Sequence, residues 1–291
     1  MKHLWLTFVL IVALAVTACA KTPEPTQALT ASTKAAASLK GQLQIAGSTT
    51  VQPLAEKLAE AFMAKNPDIQ ITVQGGGSSV GVTSAGEGTV DIGTSSRELQ
   101  KAETDKFPNV KVFTIAYDGI AVVTNSGIKL ANLTKEQVRA IFAGEITNFK
   151  DVGGPDAGIV VVSREEGSGT RTAFEELVMT YTDSAGKKQT KKIFEKALLQ
   201  QSNGQIRTTV ATTPNSIAYL SFGFLDNTTN ATPVEGIAPT VENAKNKTYP
   251  VVRPLIMLTN GEPNERAKAF LDFCLSDEGQ AIVAKEYVSV R

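Results

Sequence analysis

Histidine is nearly missing from this 291-residue chain: His3 is the only one, and it stands among the first residues. Without imidazole elsewhere, Ser-His-Asp and Cys-His catalysis have no base, and H-E-x-x-H and other histidine-based zinc sites have no ligands. Cysteine is almost as scarce. Only Cys19 and Cys274 occur, so no disulfide framework is available, and Cys274 lies in the helical-looking stretch from Ala267 to Leu275, where a free thiol behaves as a small buried hydrophobe. An excess of one charge is also lacking, with 29 Lys+Arg against 29 Asp+Glu. No basic run interleaved with aromatics offers a surface to a polyanion, so nucleic acid is excluded as a partner. A G-x-x-x-x-G-K-[ST] loop is absent too, since the Gly186-Lys187 pair is followed by Lys188. Ser184-Ala185-Gly186-Lys187 matches S-x-x-K, but it sits in a polar, turn-like segment without S-D-N or K-T-G partners.

What is present begins with an export signal. Lys2 and His3 precede an apolar run from Leu4 to Val16, too short to span a membrane. Residues 1–18 are therefore expected to be a signal peptide. Val16-Thr17-Ala18-Cys19 resembles the lipobox of bacterial lipoproteins, which implies a mature chain starting at a lipidated Cys19. A plain secretory signal with an incidental cysteine is the competing reading. From Ala20 to Lys40 the small and polar residues show no apolar period, and residues 19–40 are read as the lipidated cysteine and a flexible spacer.

From Gly41 onward, strand and helix signals alternate. Leu43 and Ile45 predict a strand, and Leu54, Leu58 and Phe62 a helix ending at Asn66-Pro67. Further strands are expected at Ile69–Val73, Val90–Gly93, Val110–Ile115, Gly119–Thr124, Ile159–Val162, Ile217–Leu220 and Val251–Leu258. Pro254 places the last of these at an edge or a crossover. Thr134-Lys135-Glu136-Gln137 reads as a capping box. Thr180 to Lys192 reads as a solvated connection or helix edge, and Ile193–Leu199 as helical. Ala231 to Asn246 reads as loop, and a final helical region spans about Asn264 to Lys285. The class is α/β with a mostly parallel sheet, and such sheets bind ligands beyond the carboxyl ends of their strands.

Three loops share one design: Gly47 to Thr50, Gly75 to Gly81, and Gly167 to Thr170. Each follows a strand, opens a helix and carries small residues with hydroxyls, so each can aim N–H and O–H donors at one point where the helix dipole favours negative charge. One such loop reads equally well as an ordinary cap. Three of them, with Arg97 and Arg164 close by in sequence, favour a site for a small desolvated oxyanion.

With these residues in view, the chain resembles the PstS-type phosphate-binding proteins of bacterial phosphate ABC importers. The resemblance runs from Gly41 to the end and rests on Gly47–Val51, Gly75–Ser79, Val90–Gly93, Tyr117–Ala121, Ile146–Phe149, Arg164–Thr170 and Leu275–Gln280. It implies a two-domain periplasmic-binding-protein (type II) fold, a Venus-flytrap clamp with hinge crossovers. Residues 41–116 plus 251–291 would form domain I, and 117–250 domain II. It further implies a non-catalytic, lipid-anchored, monomeric receptor outside the cytoplasm, in the periplasm or at the cell surface. Such a receptor captures inorganic phosphate, hands it to the permease subunits and needs no cofactor or metal.

The implied phosphate-binding residues are Ser48, Thr49, Thr50, Ser78, Ser96, Arg97, Arg164, Ser168, Gly169 and Thr170, with Glu166 as the carboxylate that orients Arg164. Ser96 stands where many relatives have an aspartate that accepts a proton from phosphate, which leaves selectivity over sulfate open. A receptor for another oxyanion, such as sulfate or molybdate, and an adhesin or signalling lipoprotein built on the same fold are the alternatives.

Overall fold

The alternation at Leu43 and Ile45 produces the first strand, β1 (Gly41–Gly47), and the recurrence of Leu54, Leu58 and Phe62 produces the helix Gln52–Lys65, closed at Asn66. The structure is a computed structural model and describes residues 39–291. The expected signal peptide, Cys19 and nearly all of the expected spacer lie outside the described residues. The remaining strands are β2 (Ile69–Gly75), β3 (Ile92–Ser95), β4 (Val110–Asn125), β5 (Val160–Arg164), β6 (Thr180–Thr182), β7 (Lys188–Thr190), β8 (Leu198–Gln200), β9 (Ser216–Ser221), β10 (Thr229–Thr232) and β11 (Val252–Asn260).

Nine of these strands form one sheet in the order β2-β1-β3-β11-β4-β9-β5-β8, with β10 added on β4. Its two flanks are parallel: β1 lies between β2 and β3, and β5 between β8 and β9. Its middle is antiparallel, because β4 and β11 carry the chain from one flank to the other. Residues Val110–Gly119 of β4 pair with β11, and Ile120–Thr124 pair with β9. Pro254 lies opposite Tyr117, outside the short stretch Ile256–Leu258 that pairs with β3, so its missing N–H falls at the crossover. A register shift between Leu255 and Ile256 marks the same place.

Two large apolar clusters lie on either side of these crossovers. One gathers buried residues between Ile120 and Val251, where the Phe174 and Tyr219 rings stack at 4.0 Å and Phe142 meets Phe174 edge-on at 4.8 Å. The other joins Leu43 through Ala116 to Leu255 through Tyr287, with Phe62 and Phe270 edge-on at 5.5 Å. Each fully buried aromatic of this kind contributes about 1.5–3 kcal/mol. Cys274 packs in the second cluster, and burial pushes its thiol up, away from thiolate chemistry.

Several expectations need correction. Tyr117-Asp118 does not divide two strands, because β4 runs through it: Tyr117 exchanges N–H···O bonds with Val288 at 2.9 Å, and Asp118 is held from β11. Ile193–Leu199 is not helical, since Leu198–Gln200 adds to the edge of β5. The polar stretch from Thr180 to Lys192 contains the β6–β7 hairpin. The strand expected at Val90 starts at Ile92, because the Asp91 carboxylate accepts from Gln44 N and Asn264 Nδ2, both at 2.8 Å. The last helical region is two helices, Glu265–Cys274 and Asp277–Val283, the second capped by Ser276. The Thr134 capping box forms as read, with Thr134 Oγ1 accepting from Gln137 N at 3.1 Å and Gln137 Oε1 accepting from Thr134 N at 2.9 Å.

At the crossover, Asp118 and Arg253 form an ion pair that is 1% and 2% exposed. Arg253 Nη2 and Nε donate to Asp118 Oδ2 at 2.9 and 3.2 Å, and Phe222 N donates to Oδ1 at 3.2 Å. Burial pushes the carboxyl up and the guanidinium down, each opposed by the other's charge. Removing one partner strands the other charge in a dry interior. Asp118→Ala is expected to lower stability by about 3–5 kcal/mol in urea unfolding, against less than about 1 kcal/mol for alanine at the exposed, paired Lys101; equal effects would contradict this assignment.

Candidate functional site

The carboxyl ends of β1, β2, β3 and β5 all deliver their loops to one place, as the parallel flanks of the sheet require. There the residues of the two flanks touch. Thr50 Oγ1 lies 2.9 Å from Thr170 Oγ1, and Asn203 Nδ2 donates to Thr50 Oγ1 at 2.8 Å. Ser79 N donates to Gly167 O at 3.2 Å, and Arg164 Nη2 donates to Thr49 Oγ1 at 3.2 Å. Ser78 Oγ accepts from Ser96 N at 3.0 Å and lies 3.4 Å from Ser96 Oγ.

Gly169 closes the arrangement. A Cβ there would stand 2.1 Å from Ser78 Oγ and 2.6 Å from Ser96 Oγ, so only glycine lets the flanks meet. Apart from Thr49 and Ser79, which are partly buried, the hydroxyl residues gathered here are at most 2% exposed.

Arg164 ends β5 inside this cluster and is 1% exposed. Its Nε and Nη2 donate to the two oxygens of Glu165 at 2.9 Å, with further bonds to the carbonyls of Gln200 at 3.1 Å and Gln201 at 3.2 Å. Glu165 therefore orients the fork, and the expectation of Glu166 in that role is corrected: the turn after β5 folds the nearer carboxylate back. Arg164 Nη1 is buried without a hydrogen-bond partner among the described residues. Such a donor has a use only if something else accepts from it. Tyr219 fixes the strand end from below, its hydroxyl 2.8 Å from Ser163 Oγ and accepting from Arg164 N at 3.4 Å, and burial pushes that phenol up to about 12.

The other residues expected in the site fall into two groups. Thr49, Thr50, Ser78, Ser96, Arg164, Gly169 and Thr170 are brought together by the contacts above. Ser168 caps the helix Gly169–Phe174 by accepting from Arg171 N at 3.3 Å. Ser48 likewise accepts from the N–H groups of Thr50 and Val51 at 3.2 and 3.3 Å. Arg97 is buried beside them, but its fork is bound at 2.7 Å by both oxygens of Glu103 and at 3.2 Å by Ser79 Oγ.

Sequence reasoning missed Asn203, Asp118 and Arg253. Nothing in the sequence singles out Asn203. Arg253 and Asp118 did carry a signal, since each interrupts an apolar run, and a charge inside a buried strand calls for an opposite one. Arg253 reaches the cluster itself, with Nη1 donating to Ser96 Oγ at 3.3 Å.

No group of three or more His, Cys, Asp or Glu among the described residues could hold a metal ion. Hydroxyls, amides and guanidinium forks enclosed away from water can instead strip and hold a small anion.

Gly169→Ala is expected to weaken ligand binding at least about hundredfold while the unfolding midpoint stays close to wild type, because the clash sits between the flanks and not within either core; calorimetry with parallel thermal melts checks it. The Arg97–Glu103 pair predicts a pH effect. Partial burial works against the Glu103 charge, but the hydrogen bonds from Arg97 and Gln100 N and the Arg97 charge hold its carboxyl below the ordinary value. A folded-state pKa that is depressed gives stability present above the unfolded pKa and lost as pH falls through the folded one. Glu103→Gln should therefore cost about 2 kcal/mol at neutral pH, with wild type and variant converging in acid unfolding series.

Comparison with known proteins agrees with this geometry. Residues 32–278 match the PBP superfamily domain. The phosphate-binding protein PstS of Bacillus subtilis is 31% identical over 270 residues, which are 92% of this chain and 87% of that one. PstS of Borreliella burgdorferi is 31% identical over 84% of this chain and 88% of its own. A Clostridium perfringens protein crystallised with bound phosphate superposes with a TM-score of 0.79 at 41% identity, covering 86% of this chain and all of the other. A phosphate transport receptor of the ABC type from Vibrio cholerae gives a TM-score of 0.69 at 33% identity, over 84% and 99%. The mixed α/β architecture is thus that of the two-domain periplasmic phosphate-binding proteins, and the chain belongs to the PBP superfamily, in its PstS-type phosphate-binding family.

Proposed function

We propose that this chain captures inorganic phosphate outside the cytoplasm and delivers it to the permease of an ABC importer, acting as a receptor and not as an enzyme. The observation that carries the reading is the buried Arg164 Nη1, unpartnered among the described residues and set within hydroxyls drawn from both flanks of the sheet. The names of the relatives support the identity of the ligand and of the transport partner. Domain I would be residues 41–116 plus 251–291 and domain II residues 117–250, a division supported by the separate apolar clusters on either side of the crossovers. Cys19 would carry the lipid that tethers a monomer to the membrane. Among the described residues no helix is long and apolar enough to cross one.

In this reading Thr50, Thr170, Ser78, Ser96, Ser168 and Arg164 hold the anion, Glu165 keeps the Arg164 fork in plane, and Arg97 acts through Ser79. Bonds between the flanks form only when the clamp is shut, so a ligand that accepts from both stabilises the closed state by its differential affinity. Calorimetric titration of the ligand-stripped full chain with phosphate is expected to give tight binding. Arg164→Ala and Ser168→Ala should each weaken it at least about tenfold, a loss of about 1.4 kcal/mol or more, while the apo protein stays folded. Near-normal affinity in both variants, or no phosphate binding by the folded wild type, would overturn the proposal.

A further inference from the structure

A cavity of about 370 Å³ lies at the crossover, and none of the hydroxyl residues of the candidate site lines it. Its walls are apolar: Tyr117, which is 43% exposed, and the partly buried Val252, Pro254 and Val288. Its charges are all of one sign. Lys245 and Lys247 line it and are exposed, no carboxylate lines it, and neither lysine is in an ion pair among the described residues. Arg253 borders it too, but its nitrogens are bonded to Asp118 and Ser96. The acidic residues nearest in sequence are engaged elsewhere, Glu242 accepting from Asn246 Nδ2 at 2.9 Å and Glu286 from Lys57 Nζ at 2.6 Å.

The lining is fixed by backbone bonds. Val252, Arg253 and Pro254 pair with Gly119, Asp118 and Tyr117 in the β11–β4 ladder, and Tyr117 exchanges N–H···O bonds with Val288. Lys247 has a φ of 59°, at the position after the helix Val241–Lys245 where glycine is the usual residue. Its N–H donates to Ala244 O at 3.1 Å, so the helix end holds this residue in a strained conformation beside the cavity.

The volume falls in the range of small-molecule sites, about 300–1,000 Å³. An inorganic oxyanion would meet the ammonium groups here but leave the apolar walls in water, and a neutral apolar molecule would leave both cations without a counter-charge. The lining therefore matches a molecule with both parts. We propose that this cavity binds a small amphipathic anion, an aryl or medium-chain carboxylate, with its apolar body against Tyr117, Val252, Pro254 and Val288 and its charge at Lys245 and Lys247, and that its occupation favours the state in which the flanks touch and so tightens phosphate binding. Lys245 and Lys247 precede the return crossover, Val252 to Pro254 belong to it, and Arg253 among them reaches Ser96. The cavity is formed with the flanks in contact, so a molecule shaped to it selects that state. The coupling rests on the phosphate-receptor reading; the cavity's own binding does not.

The test is calorimetric titration of the full chain, stripped of ligand, with naphthoate and octanoate and with the neutral amide of each. At least one of the two anions should saturate a single site with a dissociation constant below about 1 mM and bind at least about fivefold more tightly than its amide. Lys245→Gln combined with Lys247→Gln should weaken that anion at least about tenfold and leave the amide unchanged. Phosphate titrated into the same variant without the organic anion should match wild type, which shows that the fold and the hydroxyl cluster are intact. Tyr117→Ala should weaken anion and amide alike. With the anion saturating, wild type should bind phosphate at least about fivefold more tightly, and phosphate should tighten the anion by the same factor. The inference is overturned if neither anion saturates a site, if binding is indifferent to the two lysine substitutions, or if phosphate affinity is the same with and without the anion. Saturable, lysine-dependent binding of the anion by a protein that takes up no phosphate in either condition would instead defeat the receptor reading, and the coupling with it, while the cavity stands as a site.

Discussion

Three guanidinium groups held away from water are the constraint on which this structure depends. Arg97, Arg164 and Arg253 are each at most 2% exposed, and an isolated charge at such depth costs several kcal/mol. Each has a carboxylate, Glu103, Glu165 and Asp118 respectively, which offsets the charge and fixes the direction of the fork. The pairs differ in what they leave free. Arg253 spends its remaining nitrogen on Ser96, whereas Arg164 retains Nη1 and Arg97 retains Nε with no partner among the described residues. Arg164 also bonds Thr49 of the opposite flank, and it is there that the proposed reading puts the anion.

The crossover pair also joins fold to function. Asp118 lies on the strand that passes between the flanks, accepts from Phe222 on one side and holds Arg253 on the other, and Arg253 touches Ser96 at the site. The crossover strands and the loops of the cluster therefore share one hydrogen-bonded chain. Bonds across the flanks at Thr50–Thr170 and Ser79–Gly167 complete it, and in the proposed reading an anion that accepts from both sides would add to these contacts.

Much of this was legible in the sequence, and the parts that were not share a physical reason. Strands and helices with a clear period, such as Gly41–Gly47 and Gln52–Lys65, form where local pattern places them. The three Ser/Thr/Gly loops were readable because their chemistry is local: hydroxyl, small residue, helix start. Leu198–Gln200 escaped because its apolar residues serve an edge pairing with a strand more than thirty residues earlier. Asp118 and Arg253 are 135 residues apart, and no local signal tells that two interrupted apolar runs will lie side by side. Glu165 rather than Glu166 binds the arginine because the turn decides which neighbour folds back, and adjacent positions cannot be told apart by composition.

The most direct test of the central claim is a crystal structure of the protein grown with phosphate. The account predicts one phosphate enclosed between the flanks, an oxygen within hydrogen-bond distance of Arg164 Nη1, and others accepting from the hydroxyls of Thr50, Thr170 and Ser96. Phosphate bound elsewhere, or a closed cluster that stays ligand-free with Arg164 Nη1 still unpartnered at saturating phosphate, would contradict it.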